Sequence, residues 1–156
     1  MLVIEAKLYD NKPQYQKLDE MIRTASFVRN SCLRYWMDNE GVGQYDLSRL
    51  CKELASEFEW AKKLNSMARQ ASAERAWFAI SRFYDNCKKG LAQKGYPKFK
   101  KFSRSVEYKT SGWKLSEDKK SIHITDKTGI GKLKLVGSYN REILDKPLIK
   151  RVRLIK

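Results

Sequence analysis

The sequence predicts an α+β protein in which a small β-barrel carries a three-helix insertion after its first strand. Apolar residues recur every three or four positions through residues 11–91, which is typical of amphipathic helices. They alternate with polar residues in residues 2–9 and in short runs after residue 105, which is typical of strands. We therefore expect residues 1–10 and 92–156 to form a basic barrel domain and residues 11–91 to form a helical recognition insertion.

The first strand and the first helix are predicted from a change of period near residue 10. One face of the strand consists of Leu2, Ile4, Ala6 and Leu8. Asp10-Asn11-Lys12-Pro13 interrupts this alternation with residues typical of turns. The apolar stripe that follows consists of Leu18, Met21, Ala25, Val28, Cys32 and Tyr35. Its spacing predicts one long helix that ends near Met37.

The second and third helices follow a connection that contains Gly41 and Gly43. Asp46 is the candidate N-cap of the second helix. Its apolar stripe consists of Leu47, Leu50, Cys51, Leu54 and Phe58. Asn65 or Ser66 is the candidate N-cap of the third helix. The apolar face of that helix consists of Ala73, Ala76, Trp77, Ile80, Phe83, Tyr84 and Cys87. Three such helices can bury a common core.

The amino-terminal end of the third helix carries polar residues where the apolar stripe would continue. At about 100° per residue, the face runs back to Ser66, Arg69 and Gln70. This end either reaches solvent, or it presents free backbone N–H groups and polar side chains to a phosphate or a base edge. The second alternative makes these three residues candidate DNA contacts.

Five short strands are predicted in the second half of the chain. Their alternating pairs are Val106 and Tyr108, Trp113 and Leu115, Ile122 and Ile124, Leu133 and Leu135, and Val152 and Leu154. Turn signals such as Ser111-Gly112 and Thr128-Gly129 separate them. The outward positions give the predicted barrel a charged exterior that includes Lys132, Lys134, Lys150, Arg151 and Arg153.

Almost all of the excess positive charge follows Cys87. Residues 88–156 contain 20 of the 33 Lys and Arg residues but only 6 of the 18 Asp and Glu residues, a net charge of +14 out of +15. The change in charge coincides with Gly90, Gly95 and Pro97, which mark the end of the third helix. This asymmetry indicates a polyanionic ligand, because each cation that neutralises a phosphate releases condensed counterions.

Aromatic residues are interleaved with these cations at Tyr96, Phe99, Phe102, Tyr108 and Trp113. On single-stranded nucleic acid, aromatic rings stack on bases while cations hold the backbone. Because aromatic residues in strands more often lie in the core, we expect two or three of the five at most to touch ligand, with Tyr96 in contact and Phe99 packed. The candidate RNA or backbone contacts are Lys88, Lys89, Lys94, Tyr96, Lys98, Lys100, Lys101, Arg104, Lys132, Lys134, Arg151 and Arg153.

No pattern for catalysis or for metal binding is present in the sequence. The single histidine, His123, lies on the strand face opposite Ile122 and Ile124. Leu133 stands where a phosphate-binding loop would require Ser or Thr after Gly131-Lys132. The cysteines are odd in number and far apart, which favours reduced core thiols at Cys32, Cys51 and Cys87. We therefore expect no enzyme activity, cofactor or metal, and, without a signal peptide or membrane span, an intracellular protein.

The order of these pieces resembles a known family. The sequence is similar to the amino-terminal part of the transposon-encoded TnpB (OrfB-type) RNA-guided DNA endonucleases, which are related to compact type V CRISPR effectors. The resemblance rests on the opening strand, on Phe27-Val28-Arg29-Asn30, on the stretch from Trp60 through Leu64-Asn65-Ser66 to Gln70, on Arg82-Phe83-Tyr84, on Gly95-Tyr96-Pro97-Lys98-Phe99-Lys100-Lys101 and on Lys132-Leu133-Lys134-Leu135.

This resemblance implies an oligonucleotide-binding-like wedge barrel with a helical recognition insertion that together hold guide RNA and a short target-adjacent DNA motif. By position it assigns the DNA contacts to Tyr45, Ser66, Met67 and Gln70 in the helices and to Lys109 and Thr110 in the barrel. The family's RNase H-like nuclease domain, with its zinc ribbon and Mg²⁺, would begin after these residues. We therefore expect this chain to be the recognition half, with the nuclease half missing or separately encoded. The resemblance also implies a cytoplasmic, nucleoid-associated prokaryotic protein.

Two other readings remain open. A stand-alone DNA-binding transposon protein or regulator with a helix-turn-helix-like insertion would act as a dimer on a palindromic site. The third interpretation is a structural RNA-binding protein similar to ribosomal ones. The positive charge favours it, but the three long amphipathic helices do not.

Overall fold

The computed structural model describes residues 2–156 and has an α+β architecture with helices and two antiparallel sheets. The helices are α1 (Lys12–Asp38), α2 (Gln44–Glu57), α3 (Glu59–Lys62) and α4 (Ser66–Lys88). The strands are β1 (Lys7–Tyr9), β2 (Ser105–Tyr108), β3 (Trp113–Leu115), β4 (Ser121–Ile124), β5 (Gly131–Val136) and β6 (Val152–Ile155), and a 3-10 turn at Lys146–Leu148 precedes β6. The predicted α+β class is confirmed. The insertion after the first strand has four helices rather than the predicted three, because the one-turn helix α3 lies between α2 and α4.

Helix α1 begins where the hydrophobic period changes. The Asn11 side chain accepts a hydrogen bond from the Gln14 backbone N–H at 3.1 Å, and Pro13 occupies the first turn, where its missing N–H is not needed. Gln14 Nε2 donates to the carbonyl oxygens of Ile130 and Lys132, each at 2.8 Å. These two bonds hold the start of the helix against the beginning of β5.

Helix α2 begins before the predicted cap. Gly43 is the N-cap, and Asp46 lies in the first turn, where its carboxylate accepts the Gly43 N–H at 2.8 Å. The prediction that Asp46 itself is the N-cap is therefore wrong. An acidic residue in the first turn can accept the N–H of the N-cap residue and interacts favourably with the helix dipole. Asp46 therefore stabilises the start of α2 from a position within the helix. In α4, Asn65 is the N-cap, as one of the two predicted alternatives.

The strands of residues 2–156 form two separate sheets rather than a closed barrel. One sheet has the order β1-β5-β4-β3, and the other pairs β2 with β6. Every pairing is antiparallel, and Val106 lies opposite Leu154 in the second sheet. Alternation in a sequence fixes which face of a strand is buried but does not fix its neighbour, so the predicted closure is not observed.

Strand β1 is shorter than the predicted strand at residues 2–9. Its pairing with β5 places Lys7 opposite Val136, and β5 ends at that residue. The residues that precede Lys7 therefore have no strand beside them to pair with. Leu2 and Val3 are exposed as a result.

Two hydrophobic cores share α1. The first lies between the sheets and the amino-terminal halves of α1 and α4, and it contains Leu18, Met21, Ile22, Ala25, Leu64, Ala68, Val106, Tyr108, Trp113, Ile122, Ile124, Ile130, Leu133 and Leu154. The second lies among the helices and contains Val28, Cys32, Leu33, Leu47, Cys51, Leu54, Ala73, Ala76 and Ile80. Because α1 and α4 contribute to both cores, the helical part is joined to the sheets by continuous packing.

The cysteines do not all lie in the core. All three are free thiols, and Cys32 and Cys51 are buried, but Cys87 is exposed. The expectation of a core thiol at Cys87 is therefore wrong. The last buried residue of α4 is Ile80, and the turns that follow extend beyond the helical core, which also leaves Tyr84 exposed.

Candidate nucleic-acid interface

The amino-terminal end of α4 is fixed between α3 and the sheets. The Asn65 side chain caps it by accepting the backbone N–H groups of Met67 and Ala68 at 3.0 and 3.2 Å. The Asn65 N–H donates to Asp126 Oδ2 at 3.0 Å, and that oxygen also accepts the Tyr108 hydroxyl at 2.8 Å. The first turn of α4 is thus held in a defined orientation relative to β2 and to the turn that follows β4.

The loop between β2 and β3 lies directly against this helix end. Thr110 Oγ1 and Ser111 Oγ are 4.0 and 3.1 Å from the Met67 sulfur. Gly112 allows this approach because it has a φ of 90°, and a Cβ there would come within 2.9 Å of Asn65 and of Tyr108. The loop therefore places Thr110 beside Met67.

A groove of about 470 Å³ separates α2 from α4 next to this loop. It is lined by Gln44, Tyr45, Ser48, Gln70, Ala73 and Glu74. Tyr45 is 76% exposed, and the Arg49 guanidinium lies 5.9 Å from the centre of its ring. We call this feature the α2–α4 groove. Most of its polar groups are neutral amides and hydroxyls, which can both donate and accept hydrogen bonds.

An ion-pair network borders the groove. Glu74 pairs with Lys109 and, at 3.3 Å, with Arg151, while Glu107 accepts from Arg151 at 2.8 Å and from Arg153 at 3.0 Å. Burial opposes ionisation of Glu107, but the hydrogen bonds from Arg153 and Arg151 hold its pKa below the usual range. The carboxylate of Glu74, which faces the groove, is therefore neutralised by two cations.

The six residues assigned to DNA by resemblance lie either at this groove or at the amino-terminal end of α4. Tyr45 and Gln70 line the groove, Lys109 pairs with Glu74 on its border, and Ser66, Met67 and Thr110 lie at the adjoining end of α4. The structure brings these residues together although they come from α2, α4 and the loop after β2.

Arg69 is different, because its guanidinium is used inside the protein. Its NH1 group donates to the carbonyl oxygens of Ala61, Lys62 and Leu64 at the end of α3, with the Lys62 contact at 3.2 Å. Carbonyl groups at the end of a helix lack intrahelical partners, so Arg69 satisfies them. Helical periodicity placed Arg69 on the same face as Ser66 and Gln70, but it could not predict that the long Arg69 side chain turns back to contact α3.

A second surface is formed by residues 95–104, an extended segment between α4 and β2 that we call the strap. The Asn30 side chain exchanges two hydrogen bonds with Lys100, from Nδ2 to the carbonyl oxygen at 2.8 Å and from the Lys100 N–H to Oδ1 at 3.1 Å. Arg29 NH1 donates to the Lys98 carbonyl at 3.2 Å, and Pro97 is buried. Two of the segments that carried the resemblance are therefore in direct contact.

The five aromatic residues near the strap fall into two groups. Tyr108 and Trp113 are buried in the first core, so their faces are inaccessible. Tyr96 is 52% exposed but packs against Trp36 and Phe83, with ring centres 5.6 and 5.1 Å apart. Phe99 is 46% exposed and Phe102 is 83% exposed. The expected packing of Phe99 is therefore only partial. Three of the five rings, those of Tyr96, Phe99 and Phe102, are more than 40% exposed.

The predicted RNA-contacting cations lie on several elements. Those that are exposed on α4, the following turn, the strap and β5 are Lys88, Lys89, Lys94, Lys98, Lys100, Lys101, Arg104, Lys132 and Lys134. Arg151 and Arg153 are exposed on or beside β6 but are paired with carboxylates in the network described above. The strap carries the densest group of these cations.

Sequence reasoning missed Arg29 and Arg75 as parts of this surface. Arg29 is only 8% exposed, yet it reaches the strap from within the buried stripe of α1. Arg75 NH1 donates to Ser105 Oγ at 3.1 Å from α4. One feature of the sequence could have indicated their burial: each arginine directly adjoins a residue of an apolar helix stripe, Arg29 next to Val28 and Arg75 next to Ala76.

Comparison with known protein families gives no match to this sequence, and comparison with curated proteins gives none either. Within residues 2–156, no group of three or more His, Cys, Asp and Glu side chains is arranged to hold a metal ion. No helix in the same part of the chain has the length and apolar character needed to cross a membrane.

Proposed function

We propose that this chain is the nucleic-acid recognition module of a TnpB-like, RNA-guided and transposon-associated endonuclease. In this proposal the α2–α4 groove reads a short target-adjacent motif in double-stranded DNA. The strap and the exposed cations hold guide RNA, and the two sheets act together as an open, oligonucleotide-binding-like wedge. Cleavage is assigned to an RNase H-like domain or chain outside these residues, where Mg²⁺ would act, and no residue described above is given a catalytic role.

The observation that carries the proposal is that Tyr45 and Gln70 line one groove, while Met67, one turn before Gln70 on α4, lies beside Thr110. Neutral side chains in the groove suit base edges, because an amide can donate to and accept from adenine at the same time. The cations beside the groove are paired with Glu74 and Glu107, so contact with the phosphate backbone, which supplies affinity without sequence information, is assigned to the exposed cations of the strap. The division between a mainly neutral groove and a basic strap supports recognition of DNA sequence.

The proposal is tested by a binding selection on duplexes with randomised sequence, in the presence and absence of single-stranded RNA. We expect the wild-type chain to enrich a short motif. Gln70→Ala should lose preference at one position, by about 1–3 kcal/mol, because a bidentate base contact is removed. Gln16→Ala removes an exposed glutamine from α1 and is the matched control.

Two results would overturn the proposal. One is a wild-type chain that shows no sequence preference under either condition. The other is a motif that is unchanged in Gln70→Ala, which would remove the groove from recognition. Enrichment of a palindrome by a dimer would instead favour the stand-alone regulator.

A further inference from the structure

A cluster of cations lies where α1, α4 and the strap meet, beneath the face of the strap. Arg29 comes from α1, Arg75 from α4 and Lys100 from the strap, and Ser105 begins β2. The Arg75 guanidinium is 3.1 Å from the Ser105 hydroxyl, and Arg29 reaches the strap backbone at Lys98. We call Arg29, Arg75, Lys100 and Ser105 the basic junction.

The three cations of the basic junction have no direct counter-ion. Among residues 2–156, no carboxylate lies within 4.0 Å of Arg29, Arg75 or Lys100. Glu107 attracts Arg75 without pairing with it, and it already pairs with Arg151 and Arg153. The basic junction therefore has no carboxylate of its own in direct contact.

This imbalance is most costly for Arg29, which is buried, and for Arg75, which is half-buried, whereas Lys100 remains exposed. Burial and then the neighbouring Arg75 lower the pKa of Arg29, and burial, Arg29 and Arg75 lower the pKa of Lys100. Burial lowers the pKa of Arg75 as well, and Arg153 and Arg151 lower it further, against the opposite effect of Glu107. Each of these shifts means that the charged form is disfavoured by its surroundings. An anion placed among the three groups would relieve both desolvation and repulsion.

The donors are held in place before any ligand arrives. The two hydrogen bonds between Asn30 and the Lys100 backbone fix the base of the Lys100 side chain, and the contact with Ser105 orients Arg75. The guanidinium of Arg75 and the hydroxyl of Ser105 are held together, and the flexible, exposed Lys100 side chain starts from a fixed backbone, so the three groups supply the kinds of donor that bind phosphate oxygens. Preorganised donors bind with a smaller loss of conformational entropy.

We propose that the basic junction is a phosphate-binding site that holds one phosphodiester of a single strand of RNA lying along the strap. The exposed rings of Phe99 and Phe102 lie on either side of Lys100 in the strap, so bases next to that phosphate can stack on them. A single strand is favoured over a duplex, because the bases of a duplex are already stacked on one another. The RNA assignment rests on the proposed function, whereas the anion site follows from the charges alone.

The first test uses inorganic phosphate as the probe. The melting temperature is measured in phosphate and in chloride at equal ionic strength for wild type, Arg75→Gln, Lys100→Gln and Lys114→Gln, an exposed cation on β3. Phosphate stabilises most proteins by exclusion from their surface, so the difference between variants is the relevant quantity. We expect a larger phosphate-dependent rise in wild type and Lys114→Gln than in the two junction variants.

The melting temperatures measured without phosphate show whether the variants are folded. Without phosphate, Arg75→Gln and Lys100→Gln should melt at or above the wild-type temperature, because each removes an unbalanced charge. Arg75→Lys keeps the charge but not the forked donors, and it should keep part of the phosphate response. An equal phosphate response in wild type and in both junction variants would overturn the site.

The second test measures binding of a fluorescent single-stranded oligouridine as a function of salt. Removing one phosphate contact should make the slope of log K against log salt shallower by about 0.7 in Arg75→Gln and Lys100→Gln. Lys114→Gln should keep the wild-type slope. If the variants lose the phosphate response but bind RNA as wild type does, the RNA assignment is wrong. If no form binds RNA while the phosphate response stays confined to the junction, the proposed function fails and the anion site remains.

Discussion

The Asn30 side chain and the Lys100 backbone, 70 positions apart in the chain, form a reciprocal pair of hydrogen bonds. The two hydrogen bonds resemble those between paired residues of adjacent β-strands, except that one partner is a side-chain amide. It joins α1 to a strap that has no strand neighbour, and it therefore fixes which strap side chains face solvent.

Asn30→Ala should loosen the strap. Three hydrogen bonds are lost, two with the Lys100 backbone and one that Asn30 Oδ1 accepts from Arg29 NH1 at 3.0 Å. Each has a net value of about 1 kcal/mol, so we expect the free energy of unfolding to fall by about 1–3 kcal/mol. Asn140→Ala removes a local loop hydrogen bond to the Glu142 N–H and should change stability less. Denaturant unfolding of both variants checks this, and hydrogen exchange should show faster exchange of the Lys100 amide in Asn30→Ala only.

Phe102 and Tyr96 should respond differently to truncation. Phe102 is the most exposed ring on the strap, so Phe102→Ala should leave the melting temperature almost unchanged while RNA affinity falls by about 1–3 kcal/mol. Tyr96→Ala also loses its packing on Trp36 and Phe83 and should lower stability by about 1 kcal/mol. Phe78 is 54% exposed on α4, outside the strap, and Phe78→Ala is the control. Equal RNA binding by all three variants would contradict stacking on the strap.

Arg69 should act mainly on stability. Arg69→Ala leaves the carbonyls of Ala61, Lys62 and Leu64 without their donor, and we expect a loss of about 1–3 kcal/mol in the free energy of unfolding. Arg49→Ala breaks an exposed pair with Asp46 and should cost less than about 1 kcal/mol. A stable Arg69→Ala protein with impaired DNA binding would show instead that the side chain is released to the ligand.

Glu107 makes stability depend on pH in the acid range. Its pKa is lower in the folded chain than in the unfolded chain, so its contribution is complete above the unfolded value of about 4.3 and is lost as pH falls through the folded value. Glu107→Gln should be less stable than wild type near neutral pH, by about 1–3 kcal/mol. That difference should shrink during acid titration, as followed by thermal unfolding from pH 7 to about 3. A difference that stays constant over this range would show that the carboxylate is not stabilised by Arg151 and Arg153.

Sequence patterns were sufficient for features that depend on neighbouring residues. The stripe that includes Leu18, Met21 and Ala25 predicts α1, and the residue type of Asn65 predicts the cap of α4. Which strands pair is harder to predict from the sequence. Strand β2 pairs with β6 across more than 40 intervening positions, and the alternation of apolar and polar residues does not specify that partner.

The contacts made by long side chains could not be predicted from the sequence either. Arg69 folds back on α3, and Arg29 crosses from a buried stripe to the strap. Both depend on the three-dimensional path of a long, flexible side chain rather than on its position in a period. By contrast, Tyr45 and Gln70 do line one groove, and Met67 lies beside Thr110, although periodicity alone suggested only Gln70 among these four residues.

The central claim, that this chain binds nucleic acid through its basic second half, is tested most directly by the salt dependence of its affinity for single-stranded RNA. If about five phosphates are engaged, log K should fall against log salt with a slope of roughly −3.5. No measurable binding at low salt, or an affinity that does not change as salt is raised, would contradict the account.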